Sequence, residues 1–66
     1  MAYFDYHRVA KREILTGHLV RAEYLPVWNG IAPALVLFFD DRAPMPIRKE
    51  KWGEYEELVG AFLSPP

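Results

Sequence analysis

The sequence predicts a small α+β domain: a small antiparallel sheet in the order ββββα, with one amphipathic C-terminal helix packed on it. Three observations lead there. Short apolar segments are separated by turn signals at Thr16-Gly17, Asn29-Gly30 and residues 40–44. A stripe of helical period occupies the C-terminal part. The chain has 66 residues, enough for a single domain, taken as 1–66, and no more.

Residues 6–15 are patterned ambiguously. Neither alternate set, Tyr6/Arg8/Ala10/Arg12/Ile14 or His7/Val9/Lys11/Glu13/Leu15, is cleanly apolar. A first strand is expected here, with a short N-terminal helix as the competing assignment. Thr16-Gly17 supplies a turn or bulge, because glycine takes positive φ at little steric cost. Over residues 18–25 the alternation is clearer: Val20, Ala22 and Tyr24 on one face, Arg21 and Glu23 on the other. Pro26, with no amide hydrogen, ends or edges this second strand. Asn29-Gly30 is a strong turn signal.

The third strand, Ala34–Phe39, is apolar on both faces, with Ala34/Val36/Phe38 on one and Leu35/Leu37/Phe39 on the other. An antiparallel strand with one face in water alternates, so this one is expected to be covered twice. The C-terminal helix covers one face; a second subunit or a ligand is the natural cover for the other. Residues 40–44 form a polar turn, and Met45–Arg48 a short strand placed at an edge by Pro46. The helix is expected over residues 49–63, where Trp52, Tyr55, Leu58, Val59, Phe62 and Leu63 fall within about 140° of arc at helical spacing. Pro65 and Pro66 lie just past its end.

Composition narrows the function. A domain this short buries only about 60% of the surface its unfolded chain exposes, and small domains compensate with disulfides, a metal or oligomerisation. There is no cysteine. His7 and His18 cannot alone fill a four-ligand zinc site, and the carboxylates show no ligand spacing, so neither metal nor cofactor is expected. Self-association remains, in keeping with a composition that is 52% hydrophobic and 15% aromatic. No secretory signal interrupts this reading, since Asp5, His7 and Arg8 break up the N-terminus. The longest apolar stretch, residues 31–39, is far below the ~20 residues a membrane span needs. A soluble, cytoplasmic protein with no membrane partner is expected.

The net charge of −1 is unevenly spread. Residues 1–49 hold seven basic and five acidic groups, for +2, whereas residues 50–66 hold one basic and four acidic groups, for −3. A basic sheet and an acidic helix permit an anionic partner on the sheet side.

Candidate sites follow from that map. Gly53 and Gly60 flank the helix stripe and each costs about 1 kcal/mol in a helix interior. They fit either a helix–helix contact across a dimer or, for Gly60, a loosened last turn. Asp40 and Asp41 have the chemistry of a cation site or an acid–base pair, but adjacent acids in a proline-containing turn are more often solvated turn formers. No serine, cysteine or third group is spaced to make His7 or His18 a catalytic base, so an enzyme is not expected. The cations Arg8, Lys11, Arg12 and Arg21 are interleaved with Tyr3, Phe4, Tyr6, Tyr24 and Trp28. Cations that follow a phosphate backbone, with aromatic faces for unpaired bases, are what single-strand binding requires. The competing reading is a solvated face and core aromatics.

The run HLVRAEYLPVWNGIAPALVLFF, residues 18–39, resembles the second and third strands of the bacterial relatives of transcriptional positive cofactor four. Trp28-Asn29-Gly30 matches their turn, Pro33 its flank, MPIRK their fourth strand and EKWGEYEELVGAF their C-terminal helix. The likeness covers about two-thirds of the chain. It implies a ββββα protomer that dimerises through its helix and binds single-stranded nucleic acid on its sheet. Only Trp28 and Asn29 carry over by motif. Few lysines, a net negative charge, Pro26 within the second strand and a poor match before residue 16 depart from the family.

The expected function is therefore a homodimeric single-stranded nucleic-acid-binding protein linked to transcription or DNA maintenance. Lys11, Arg12 and Arg21 supply attraction, and Tyr24, Trp28 and Asn29 complete the nucleic-acid site. Trp52, Gly53, Tyr55, Val59, Gly60 and Phe62 are the expected dimer interface. The alternative is a protein-interaction module, an adaptor or inhibitor that docks its apolar sheet face on a larger partner.

Overall fold

The computed structural model describes residues 5–63, and these begin with a helix where a strand is expected. Tyr3 and Phe4, read as part of the aromatic interleaving, and Pro65 and Pro66, read as the helix stop, lie outside the described residues. Helix α1 spans Tyr6–Leu15. The competing assignment wins because the residues obey a 3.6 period: Tyr6, Val9, Ala10, Glu13 and Ile14 form one face, with Ala10, Glu13 and Ile14 buried. Asp5 starts the helix, its Oδ1 accepting from the Arg8 amide at 3.1 Å. The Thr16-Gly17 pair is the helix stop. Gly17 takes φ +87°, its amide donates to the Ile14 carbonyl at 3.2 Å and the His18 amide donates to Glu13's at 3.1 Å. That is the Schellman arrangement, in which a left-handed glycine closes the last turn.

Three antiparallel strands follow, β1 (Leu19–Leu25), β2 (Ala34–Phe39) and β3 (Met45–Arg48), in the spatial order β1-β2-β3. The β1–β2 register slips between Leu19 and Arg21. This bulge leaves Val20 exposed and returns Ala22 to the core side. The β1–β2 connection turns at Asn29-Gly30, with φ of 45° and 83°. Trp28 and Ile31 exchange both backbone hydrogen bonds across it, at 2.8 and 2.9 Å, a two-residue hairpin turn. In β3, Pro46 faces Val36 on the edge strand, and its carbonyl accepts from Tyr6 Oη at 2.8 Å.

After Arg48 the expected continuous helix breaks into a 3-10 segment Lys49–Glu54, a single α turn, α2 (Glu56–Val59), and a 3-10 segment Gly60–Phe62. The amphipathic stripe is there, but its helix propensity is poor. Two glycines and the like-charged pairs Glu50/Glu54 and Glu54/Glu57 weaken it. Side-chain anchors then set the path. Trp52 Nε1 donates to the Ile47 carbonyl at 2.9 Å, Tyr55 is fully buried, and Leu63 bridges to Ala22 beside β1. The result is α+β with a three-stranded sheet and several short helices, not ββββα.

The core lies between sheet and helices. Ala10, Ile14, Tyr55 and Val59 pack on Leu19, Ala22, Leu35, Leu37, Phe39, Met45 and Ile47. Strand β2 is covered within one chain: Ala34, Leu35, Val36 and Leu37 are all 0% exposed. A second molecule is therefore not required to shield it, which corrects the reasoning from its two apolar faces. Among the described residues no helix is long and apolar enough to cross a membrane.

Candidate functional site

The sheet face opposite the helices holds the one cluster that the expected nucleic-acid residues form. Strand pleating directs Arg21 and Glu23 of β1, Phe38 of β2 and Pro46 and Arg48 of β3 to this side. Arg21 pairs with Phe38 across the ladder, and its guanidinium carbon lies 4.0 Å from the Phe38 ring centroid. Glu23 holds the same group by its edge, both Nε and Nη2 sitting 3.1 Å from Oε2. The guanidinium is thus held over an aromatic ring, with the Arg21 side chain still 52% exposed. A guanidinium is weakly hydrated and presents a planar surface, so it stacks well.

Trp28 comes to the same place from the hairpin arm, its ring 5.9 Å from that of Phe38 and nearly perpendicular to it. Asn29, next in chain, is exposed at the turn. At the far end of the face Arg48 is exposed beside a cavity of about 450 Å³ lined by Tyr6, His7, Ile31 and Pro46 among others. That volume lies in the range of small-molecule sites. Strand spacings put Arg21 and Arg48 about 16 Å apart.

The remaining expected contacts are elsewhere. Lys11 lies on α1, in the helical layer, 2.6 Å from Glu54 and above the Tyr55 ring. The Lys11 ammonium, and after it Lys51, holds the Glu54 carboxyl below its ordinary range, so Lys11 is already engaged. Arg12 is exposed on the last turn of the same helix. Tyr24 points to the helical side, packed 4.8 Å from Trp52 between ring centroids, with its hydroxyl donating to Glu56. Arg21 and Trp28 therefore meet at Phe38, Asn29 lies exposed at the turn beside Trp28, and Lys11, Arg12 and Tyr24 lie elsewhere. Phe38 escaped the sequence reading. Its signal was the pairing of an outward β2 position with Arg21, which only a known register supplies.

The expected dimer residues are also redistributed. Tyr55 and Val59 are 0% exposed inside one chain and have no surface to offer a partner. Trp52 is half-buried against Ile47 and Tyr24. Gly53 and Gly60 have no neighbouring atom within 4 Å of where a Cβ would stand, so nothing within the chain approaches them closely. Phe62 is 39% exposed. One grouping was not foreseen: Glu13 and His18, five residues apart, meet the distant Asp41 at the opposite end of β1 and β2 from the turn of Asn29.

No family model, curated protein or solved structure matches this chain.

Proposed function

We propose that this chain binds short single-stranded nucleic acid on the outer face of its sheet. One observation carries the reading: the Arg21 guanidinium lies over the Phe38 ring, beside Trp28 and on the face that also bears Arg48. Unpaired bases stack on aromatic rings and on guanidinium planes alike. The cavity beside Arg48 gives a flipped base or sugar a place to enter. A single chain presents the whole face, so the proposed binding does not depend on dimerisation. The absence of cysteine suits a reducing cytoplasm.

Charge sets the expected strength. Arg21 and Arg48 are the cations of this face and Glu23 opposes them, so two phosphate contacts are the most it makes. At about 0.7 counterions released per single-strand contact, affinity falls only about sevenfold between 50 and 200 mM salt. Selectivity then comes from stacking.

A fluorescence titration with labelled and unlabelled oligonucleotides tests this. In a Trp52→Phe background, Trp28 emission is quenched by single strands and far less by duplex. Trp28→Ala costs about 1–3 kcal/mol of binding, the usual worth of one stacked base. Absence of binding at low salt, or binding unchanged by both Trp28→Ala and Arg21→Ala, removes the proposal. It would bring forward the second reading, a protein-docking module, which is favoured by the exposure of Leu15, Val20 and Val27 at 73%, 57% and 58%.

A further inference from the structure

The stop of α1 brings together residues that the sheet site does not use. The Schellman closure at Gly17 sets the His18 amide on the Glu13 carbonyl, which fixes where the His18 side chain starts relative to Glu13. The Asp40 amide then donates to the His18 carbonyl at 3.0 Å, drawing in the β2–β3 turn. His18 Nδ1 lies 3.0 Å from Asp40 Oδ1 and 3.9 Å from Asp41 Oδ2. One donor atom from each of Glu13, His18 and Asp41 falls within 4.8 Å of the other two.

Glu13 is the unusual member. Its side chain is 9% exposed, and its buried Oε1 receives no hydrogen bond. Arg42 Nε stands 3.3 Å away, close enough for ionic attraction but out of line for a bond. Arg42 also lies 3.7 Å from Asp41 Oδ1. Two carboxyl groups, those of Glu13 and Asp41, thus face a single guanidinium. A buried carboxylate oxygen lacking a hydrogen bond is costly, and here the charge of Arg42 is what offsets that cost.

We propose that Glu13, His18 and Asp41 bind a divalent transition-metal ion, with zinc as the best fit. One imidazole and two carboxylates suit zinc or its neighbours better than magnesium or calcium, which favour all-oxygen shells. Zinc bonds of about 2.0–2.2 Å in tetrahedral geometry hold ligand atoms roughly 3.3–3.6 Å apart. Closing from the present spacing asks for about an ångström of side-chain movement, in which half-buried His18 exchanges its Asp40 contact and exposed Asp41 its Arg42 contact for the ion. Water or Asp40 completes the shell. Such an ion would clip the end of α1, the start of β1 and the β2–β3 turn together, the kind of cross-link a small cysteine-free domain lacks. Arg42 is then the competitor that neutralises the acids when no metal is bound.

The test is a calorimetric titration of the full chain with Zn²⁺, paired with thermal melts in Zn²⁺ and in chelator. The expected result is one ion per chain, bound with micromolar or tighter affinity, and a higher melting temperature. Changing a residue that merely supports a metal ligand weakens binding about 10–100-fold, so His18→Ala and Asp41→Asn, each removing a ligand, should weaken it at least that much. Both positions are partly exposed, which keeps the test valid even if Glu13→Gln fails to fold. Arg42→Gln should tighten binding by removing the competitor. Mg²⁺ and Ca²⁺ should bind more weakly than Zn²⁺. Affinity weaker than about 0.1 mM, or unchanged binding in both His18→Ala and Asp41→Asn, overturns the proposal.

Discussion

Arg21 and Phe38 show how the proposed function can rest on one cross-strand pair. Neither residue is distinctive alone; the register places a cation directly over a ring and Glu23 keeps it there. At the same scale, His18 sets a pH signature. The Asp40 hydrogen bond, ahead of the charges of Asp41 and Glu13, raises its pKa above the ordinary 6.5. A raised pKa means that the folded chain binds the proton more tightly than the unfolded one. The stabilisation is complete below pH 6.5 and is lost as pH rises through the raised value. Asp41 and Glu54 behave oppositely. Their carboxyls lie below the ordinary 3.8 and 4.5, so their contribution is present above those values and disappears as acid protonates them. In chelator, melting temperature should therefore be highest between about pH 5 and 6.5. The advantage of wild type over His18→Ala should shrink from pH 6 to pH 8; an advantage that grows over that range contradicts the pairing.

At the scale of elements, the sequence was most readable where one residue type has one structural use. Asn29-Gly30 is a turn because both positions take positive φ, and the apolar run of β2 is a central strand because it is flanked on both edges. Helix α1 was harder. Its apolar face includes Glu13, so charge concealed a stripe that Tyr6, Val9, Ala10 and Ile14 otherwise draw. The same Thr16-Gly17 signal serves a hairpin or a helix stop, and local sequence does not separate them. The C-terminal stripe was legible, but its continuity was not, because tertiary anchors at Trp52 and Tyr55 decide where a weak helix bends. Gly60 gives a direct test. It has helical φ and ψ of −51° and −43° and open space around it. Gly60→Ala should stabilise the chain by about 0.4–1 kcal/mol in urea unfolding. Destabilisation together with loss of a dimer would instead place Gly60 in a close contact between copies.

For the whole molecule, the decisive feature is that one sheet separates two tasks. Its inner face builds the core with α1 and the C-terminal segments, while its outer face carries Arg21, Phe38 and Arg48. The sequence showed an excess of apolar surface on β2 and assigned the surplus to a partner. The chain instead buries Ala34, Leu35, Val36 and Leu37 within itself, and the Arg21 guanidinium and the Trp28 ring lie against Phe38. Half of the candidate site was therefore readable from charge and motif, and Phe38 was hidden by the assumption that its face was occupied. Because 66 residues support only about 3–5 kcal/mol of stability, the core has little reserve. Leu35→Ala, at a position with no exposed surface, should cost about 2–5 kcal/mol and leave most of the chain unfolded at 25 °C by circular dichroism. A variant that stays fully folded would mean that β2 is stabilised from outside the chain.

The most direct test of the central claim is nuclear magnetic resonance mapping of the ¹⁵N-labelled chain against a short single-stranded oligonucleotide. Shifts should concentrate on Arg21, Glu23, Phe38 and Arg48, on the Trp28 indole and on the Asn29 turn, leaving Lys11 and Arg12 unmoved. Perturbations centred on Lys11 and Arg12, or none at all at millimolar oligonucleotide, would contradict a nucleic-acid site on the outer sheet face.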